Sequence, residues 1–155
     1  MKPNLKKLLI CLAIPLAVGG LSSLLAGGMT DYPQLKQPPF APPGWLFPIV
    51  WTVLFLLMGY ASYRIWITNA EPTQKRKALL LYGAQLFANF IWPLLFFAGE
   101  WFLAALIWLV LLWILIFFTI REFSQIDETA GNLLIPYILW VTFAAYLNLG
   151  IFLLN

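Results

Sequence analysis

Apolar runs separated by short polar segments make up almost the whole chain. They extend from Leu8 to about Met29, Pro43 to Ile67, Ala78 to Ala98, Trp101 to Ile120 and Ala130 to Leu154. Runs of about 20 residues with few or no charges mark transmembrane helices, because backbone groups left unpaired in lipid are costly. The pattern predicts an all-α integral membrane protein. It would be a five-transmembrane-helix bundle, and residues 1–155 would form a single membrane domain.

Within the runs, the less apolar positions fall at helical spacing. Trp51, Phe55, Met58 and Ser62 share one face of the second run. Gln85, Asn89, Trp92 and Phe96 share one face of the third. Tyr137, Trp140, Ala144 and Asn148 do so in the fifth. Amides at membrane depth point at protein or water, not at lipid. Pro15 and Pro93 are expected to kink their helices. Gly19, Ser23 and Gly27 recur every four residues, a spacing that allows close helix approach, either inside the bundle or at a dimer seam. The fourth run carries no polar group beyond its ends. Residues 30–42 form the long irregular segment, read as a loop that acts as a lid. Pro38, Pro39, Pro42 and Pro43 exclude a regular helix there. Gly99–Glu100 is so short a turn that the third and fourth helices must be antiparallel neighbours.

Composition agrees with the pattern, since 63% of residues are hydrophobic and 10% are charged. The net charge of +3 reflects topology, because no basic patch of the kind that binds nucleic acid occurs. Lys2, Lys6, Lys7, Arg64, Lys75, Arg76, Lys77 and Arg121 fall on one side of a five-span arrangement, and only Lys36 on the other. The positive-inside rule then puts the N-terminus in the cytoplasm and the proline-rich loop outside. A charged start before an apolar run also fits a signal peptide. The length of the first run and the lack of a small-residue cleavage site favour a retained helix.

Conventional chemistry is largely excluded. There is no histidine, and the single cysteine, Cys11, offers neither an intrachain disulfide nor a metal-ligand spacing. No ionisable residue sits mid-span, which argues against an ion pump. Aromatic residues remain. Eight tryptophans are too many for interfacial belts alone, because Trp51, Trp92 and Trp140 fall inside their spans. They could line an apolar cavity together with Asn89, Asn148 and Ala144, or simply pack as an aromatic core.

The chain resembles the translocator protein / tryptophan-rich sensory protein family, once called peripheral benzodiazepine receptors. The likeness rests on Tyr32, Leu35, Lys36, Pro38, Pro42, Pro43, Phe47, Val50, Trp51, Leu54, Met58, Gly59, Ala61 and Tyr63 in the loop and second span. It continues through Gln85, Leu86, Asn89 and Trp92, then Leu134, Pro136, Tyr137, Trp140, Phe143, Ala144, Leu147 and Asn148. The resemblance implies a homodimer in the cell membrane (the mitochondrial outer membrane in a eukaryote). It implies a cavity for protoporphyrin IX, another tetrapyrrole or a similar apolar small molecule as ligand, with no cofactor required. The residues implied are Tyr32, Pro42, Phe47, Trp51, Phe55, Asn89, Trp92, Phe96, Trp108, Leu115, Trp140, Ala144 and Asn148. Some bacterial members promote light-dependent porphyrin breakdown, and the tryptophans implicated match Trp51 and Trp140, which would then be catalytic. A structural or regulatory membrane subunit is the further alternative. Asn148 is followed by no basic residue, so the cholesterol pattern of animal members is absent there, although Leu57, Tyr60 and Arg64 satisfy its loose form.

Overall fold

A computed structural model describes residues 4–27 and 32–155. The expected end of the first span at Met29, the loop positions Thr30 and Asp31, and Lys2 lie outside the described residues. Among the described residues, five helical segments of 21 to 27 residues are long and apolar enough to cross a bilayer. At about 1.5 Å per residue, each reaches the roughly 30 Å of a hydrocarbon core.

Helix α1 (Leu5–Leu25) starts where the Asn4 side chain accepts a hydrogen bond from the Lys7 amide. It runs on through Pro15 and stops at Gly27, whose φ of 78° a residue with a Cβ adopts reluctantly. Helix α2 (Leu46–Ile67) begins three positions later than the Pro43 the sequence suggested. Pro43 and Gly44 instead accept hydrogen bonds from the amides of Leu46 and Phe47 in a tight entry turn. Pro48 fits the first helical turn, where its missing N–H has no intrahelical partner to lose.

Helix α3 (Pro72–Pro93) starts well before Ala78, so Lys75, Arg76 and Lys77 are helical and not part of a linker. Pro72 is pre-set for a helix start. The kink expected at Pro93 takes the form of a π-helical turn over Leu94–Ala98, and Glu100 then reverses the chain with φ of 52°. Helix α4 (Phe102–Ile126) outlasts its apolar run by six residues, so Arg121 and Glu122 are helical too. Glu122 is held by Lys77 of α3 at 3.3 Å. The fifth span is interrupted. A short α5 (Glu128–Leu133) gives way at Leu134 to α6 (Ile135–Leu154), because Pro136 has no N–H to continue the ladder.

The helices close a ring in which α1 packs on α2, α2 on α5, α6 on α4, α4 on α3, and α3 back on α1. At one end, polar contacts tie the ring together. The Asn4 amide donates to the Tyr63 hydroxyl at 2.8 Å, Arg64 pairs with Asp127, and Lys7 sits 5.0 Å from the centre of the Trp66 ring. Close backbone approach does the rest. A Cβ on Gly59 would lie 2.6 Å from the Cys11 carbonyl oxygen, and one on Gly131 would strike Ser124.

Candidate ligand cavity

At the other end of the ring the loop 32–45 folds over the bundle. Its first turn, Tyr32–Gln34, buries the Tyr32 ring edge-on against Phe47, with centroids 5.3 Å apart. The Tyr32 hydroxyl reaches toward the Pro42 carbonyl at 3.5 Å, and burial pushes its phenol pKa up. The loop is fastened to α6. Tyr146 donates to the Pro39 carbonyl at 2.6 Å, and the Asn155 side chain pairs with both backbone groups of Lys36, at 3.2 and 2.9 Å. Pro38 lies so close to Gly150 that a Cβ there would be 2.5 Å from the proline ring. Tyr146, Gly150 and Asn155 carry no sequence signal for this task, since their partners lie more than a hundred positions away.

Beneath the loop, the stripes of α2 and α3 meet. Trp51 lies 5.5 Å from Phe55 and 6.2 Å, edge-on, from Tyr137. Trp92 stacks on Phe96 at 5.1 Å and meets Phe97 edge-on. Between these walls is a cavity of about 730 Å³. Of the residues expected at a ligand, Phe47, Trp51, Phe55, Asn89 and Trp92 line it.

The others stand elsewhere. Tyr32 and Trp140 flank Phe47 from behind, the latter at 5.8 Å, and Pro42 holds Tyr32. Phe96 supports Trp92 from the core. Asn148 is fully buried; it accepts from the Trp92 indole N–H at 3.1 Å and donates to the Phe102 carbonyl at 2.8 Å. It is therefore a brace for Trp92, with both ends of its amide engaged. Trp108 donates to the Ala88 carbonyl from α4, the helix that also carries Leu115 and supplies no wall to this cavity. Ala144 is buried on α6.

The wall the sequence did not indicate is α1, through Leu16, Gly19, Gly20, Ser22, Ser23 and Ala26. The four-residue spacing of Gly19 and Ser23 was its only trace.

A polar network underlies the cavity floor. Tyr137 accepts from the Asn89 amide and donates to the Gln85 carbonyl oxygen, both at 2.7 Å. Tyr137→Phe strands both amides in the core, since Gln85 Nε2 already lacks a partner among the described residues. The expected loss is about 1–2 kcal/mol, read as a lowered unfolding midpoint in detergent. Unchanged stability would mean that the network carries no energy.

The sequence profile of the TspO/MBR family matches residues 11–154. The chain belongs to the TspO/MBR family. A tryptophan-rich protein TspO of Chlorobaculum tepidum is 38% identical over 157 aligned positions, covering all of this chain and 99% of the relative. A translocator protein homolog of Schizosaccharomyces pombe is 39% identical, covering 92% of this chain and 88% of its own. The translocator protein of Sus scrofa is 37% identical, with 87% and 82% covered. The chain is thus a multi-pass membrane protein of the TspO/MBR family, whose relatives span bacteria, fungi and mammals.

Proposed function

We propose that this protein is a receptor or translocator for flat hydrophobic molecules, protoporphyrin IX among them. The observation that carries the reading is the cavity of about 730 Å³ walled by Phe47, Trp51, Phe55, Trp92 and Phe97, with Asn89 the amide at its floor. Small-molecule pockets fall in the range of about 300–1,000 Å³, mostly apolar with a few oriented polar groups. Ring stacking supplies affinity without charge, and a single amide gives orientation. The family resemblance supplies the tetrapyrrole as the ligand class.

The same reading carries a cytoplasmic N-terminus. Lys6, Lys7, Arg64, Lys75, Arg76, Lys77 and Arg121 gather at the end of the ring away from the loop, which favours that orientation. It also carries a homodimer in the cell membrane, on family resemblance alone.

Titrating protoporphyrin IX into the detergent-purified protein should quench tryptophan fluorescence saturably. Trp51→Ala should weaken binding about tenfold or more, equivalent to at least ~1.4 kcal/mol. Trp113→Phe, on the far side of α4 where its indole donates to Thr142, should leave the titration in place. An unaltered titration in Trp51→Ala would remove this cavity as the ligand site.

A further inference from the structure

A ligand of this kind dissolves in the bilayer, so its route into the cavity matters. The proline-rich loop is the obvious door, yet it is fastened shut. Lifting it breaks three hydrogen bonds, two exchanged between Asn155 and the Lys36 backbone and one from Tyr146 to the Pro39 carbonyl, and unseats Pro38 from Gly150. The gap between α1 and α2 is different.

The lower half of α1 is pinned to α2. Asn4 bonds Tyr63, Gly59 admits the Cys11–Leu12 backbone, and Gly19 meets the Phe55 ring, which a Cβ would approach to 2.2 Å. Above Gly19, α1 leans on α3 instead, where the Ser22 hydroxyl donates to the Phe90 carbonyl at 2.7 Å. The two helices therefore part on the loop side of the Gly19–Phe55 contact. The residues that border the cavity there are Gly20 and Ser23 on α1 and Pro48 and Thr52 on α2. All four line the cavity and are exposed, as are Pro33 and Trp45 of the loop above them. A residue that does both is the rim of an opening. None of the four has a side chain large enough to close it. A site at this depth on the outer face of the ring opens to lipid, because the surrounding exposed residues, Leu21, Leu24, Ile49 and Val53, are apolar.

We propose that the cavity is loaded laterally from the bilayer, through a portal between α1 and α2 in the leaflet on the loop side, while the loop stays latched. This rests on the ligand reading above and adds the source and path of the ligand. The loop then acts as a fixed roof, and Gly19 against Phe55 is the point below which the portal cannot extend.

A plug in the path and a change in the site have different kinetic signatures. A plug slows entry and exit equally and leaves the equilibrium constant alone, whereas a damaged site raises the exit rate. The protein is reconstituted in phosphatidylcholine vesicles, and protoporphyrin IX association and release are followed by stopped-flow tryptophan quenching. Ser23→Phe and Thr52→Phe, each at the rim, should slow association and release alike by about tenfold. Joining the loop to α6 through Lys36→Cys and Asn155→Cys, in a Cys11→Ala background, should leave both rates within about twofold. Rates that fall on cross-linking the loop, or that ignore both rim substitutions, would overturn the portal. No saturable quenching in the unmodified protein would overturn the ligand reading and the portal with it.

Discussion

Gly59→Leu is expected to destroy the packed bundle. A Cβ at this position would stand 2.6 Å from the Cys11 carbonyl oxygen and 2.8 Å from the Leu12 Cα. Both are backbone atoms of α1, so no rotamer change relieves the clash. The whole helix must move out, and with it go the Asn4–Tyr63 hydrogen bond and the contact of Gly19 with Phe55. Overpacking a tight site costs about 1–3 kcal/mol, and more where only backbone can yield, so the loss should be at least ~3 kcal/mol. Gly83 gives the contrast. Nothing lies within 4 Å of a Cβ built there, and the position is exposed mid-helix. Gly83→Ala should be neutral or add about 0.5–1 kcal/mol through helix propensity. Unfolding in detergent, by heat or by titrated dodecyl sulfate, separates the two. Equal midpoints would show that α1 and α2 do not meet at Gly59.

Trp92→Ala should act on stability and binding together. Trp92 stacks on Phe96, meets Phe97 edge-on, lines the cavity and donates to Asn148. Truncation leaves the Asn148 oxygen, in a fully buried side chain, without its donor. It also removes one aromatic wall and the dispersion contacts that hold the π-helical turn. Aromatic-to-alanine changes in cores cost about 3–5 kcal/mol, and here the loss comes from packing and the stranded amide, since lipid is itself apolar. Trp92→Phe keeps most of the packing and forfeits the hydrogen bond, about 1 kcal/mol. Protoporphyrin IX titration should show a loss of about tenfold or more for alanine and a much smaller change for phenylalanine. Parental affinity in Trp92→Ala would take Trp92 out of the wall.

Much of this site could be read before the helices were placed. The spacing of Trp51 and Phe55, and of Asn89 and Trp92, put each pair on one face, and both pairs do line one cavity. Other residues shared those stripes and ended elsewhere. Asn148 continues the Tyr137–Trp140–Ala144 stripe, yet its amide is spent on holding Trp92 and Phe102. Trp140 stands one ring behind the wall, screened by Phe47, with its indole N–H buried and without a partner among the described residues. Trp108 and Leu115 belong to α4, which packs against the core and supplies no residue to this cavity among those described. A stripe says which side of a helix a residue occupies. It does not say which neighbour that side meets.

What the sequence determined alone was local. An apolar run long enough to cross a bilayer has to become a helix, because only a helix pairs its backbone groups within one segment. The punctuation at Asn4, Gly27, Pro72, Pro93 and Pro136 is equally local, acting through a cap, a left-handed turn or a missing N–H. The tertiary structure decided which faces turn inward, that α1 supplies a cavity wall, and that Tyr146, Gly150 and Asn155 hold the loop closed. The physical reason lies in the solvent. In water, an apolar stripe announces the buried face of a helix. In lipid, both faces are apolar, so orientation passes to close glycine contacts and to hydrogen bonds between residues far apart in the chain.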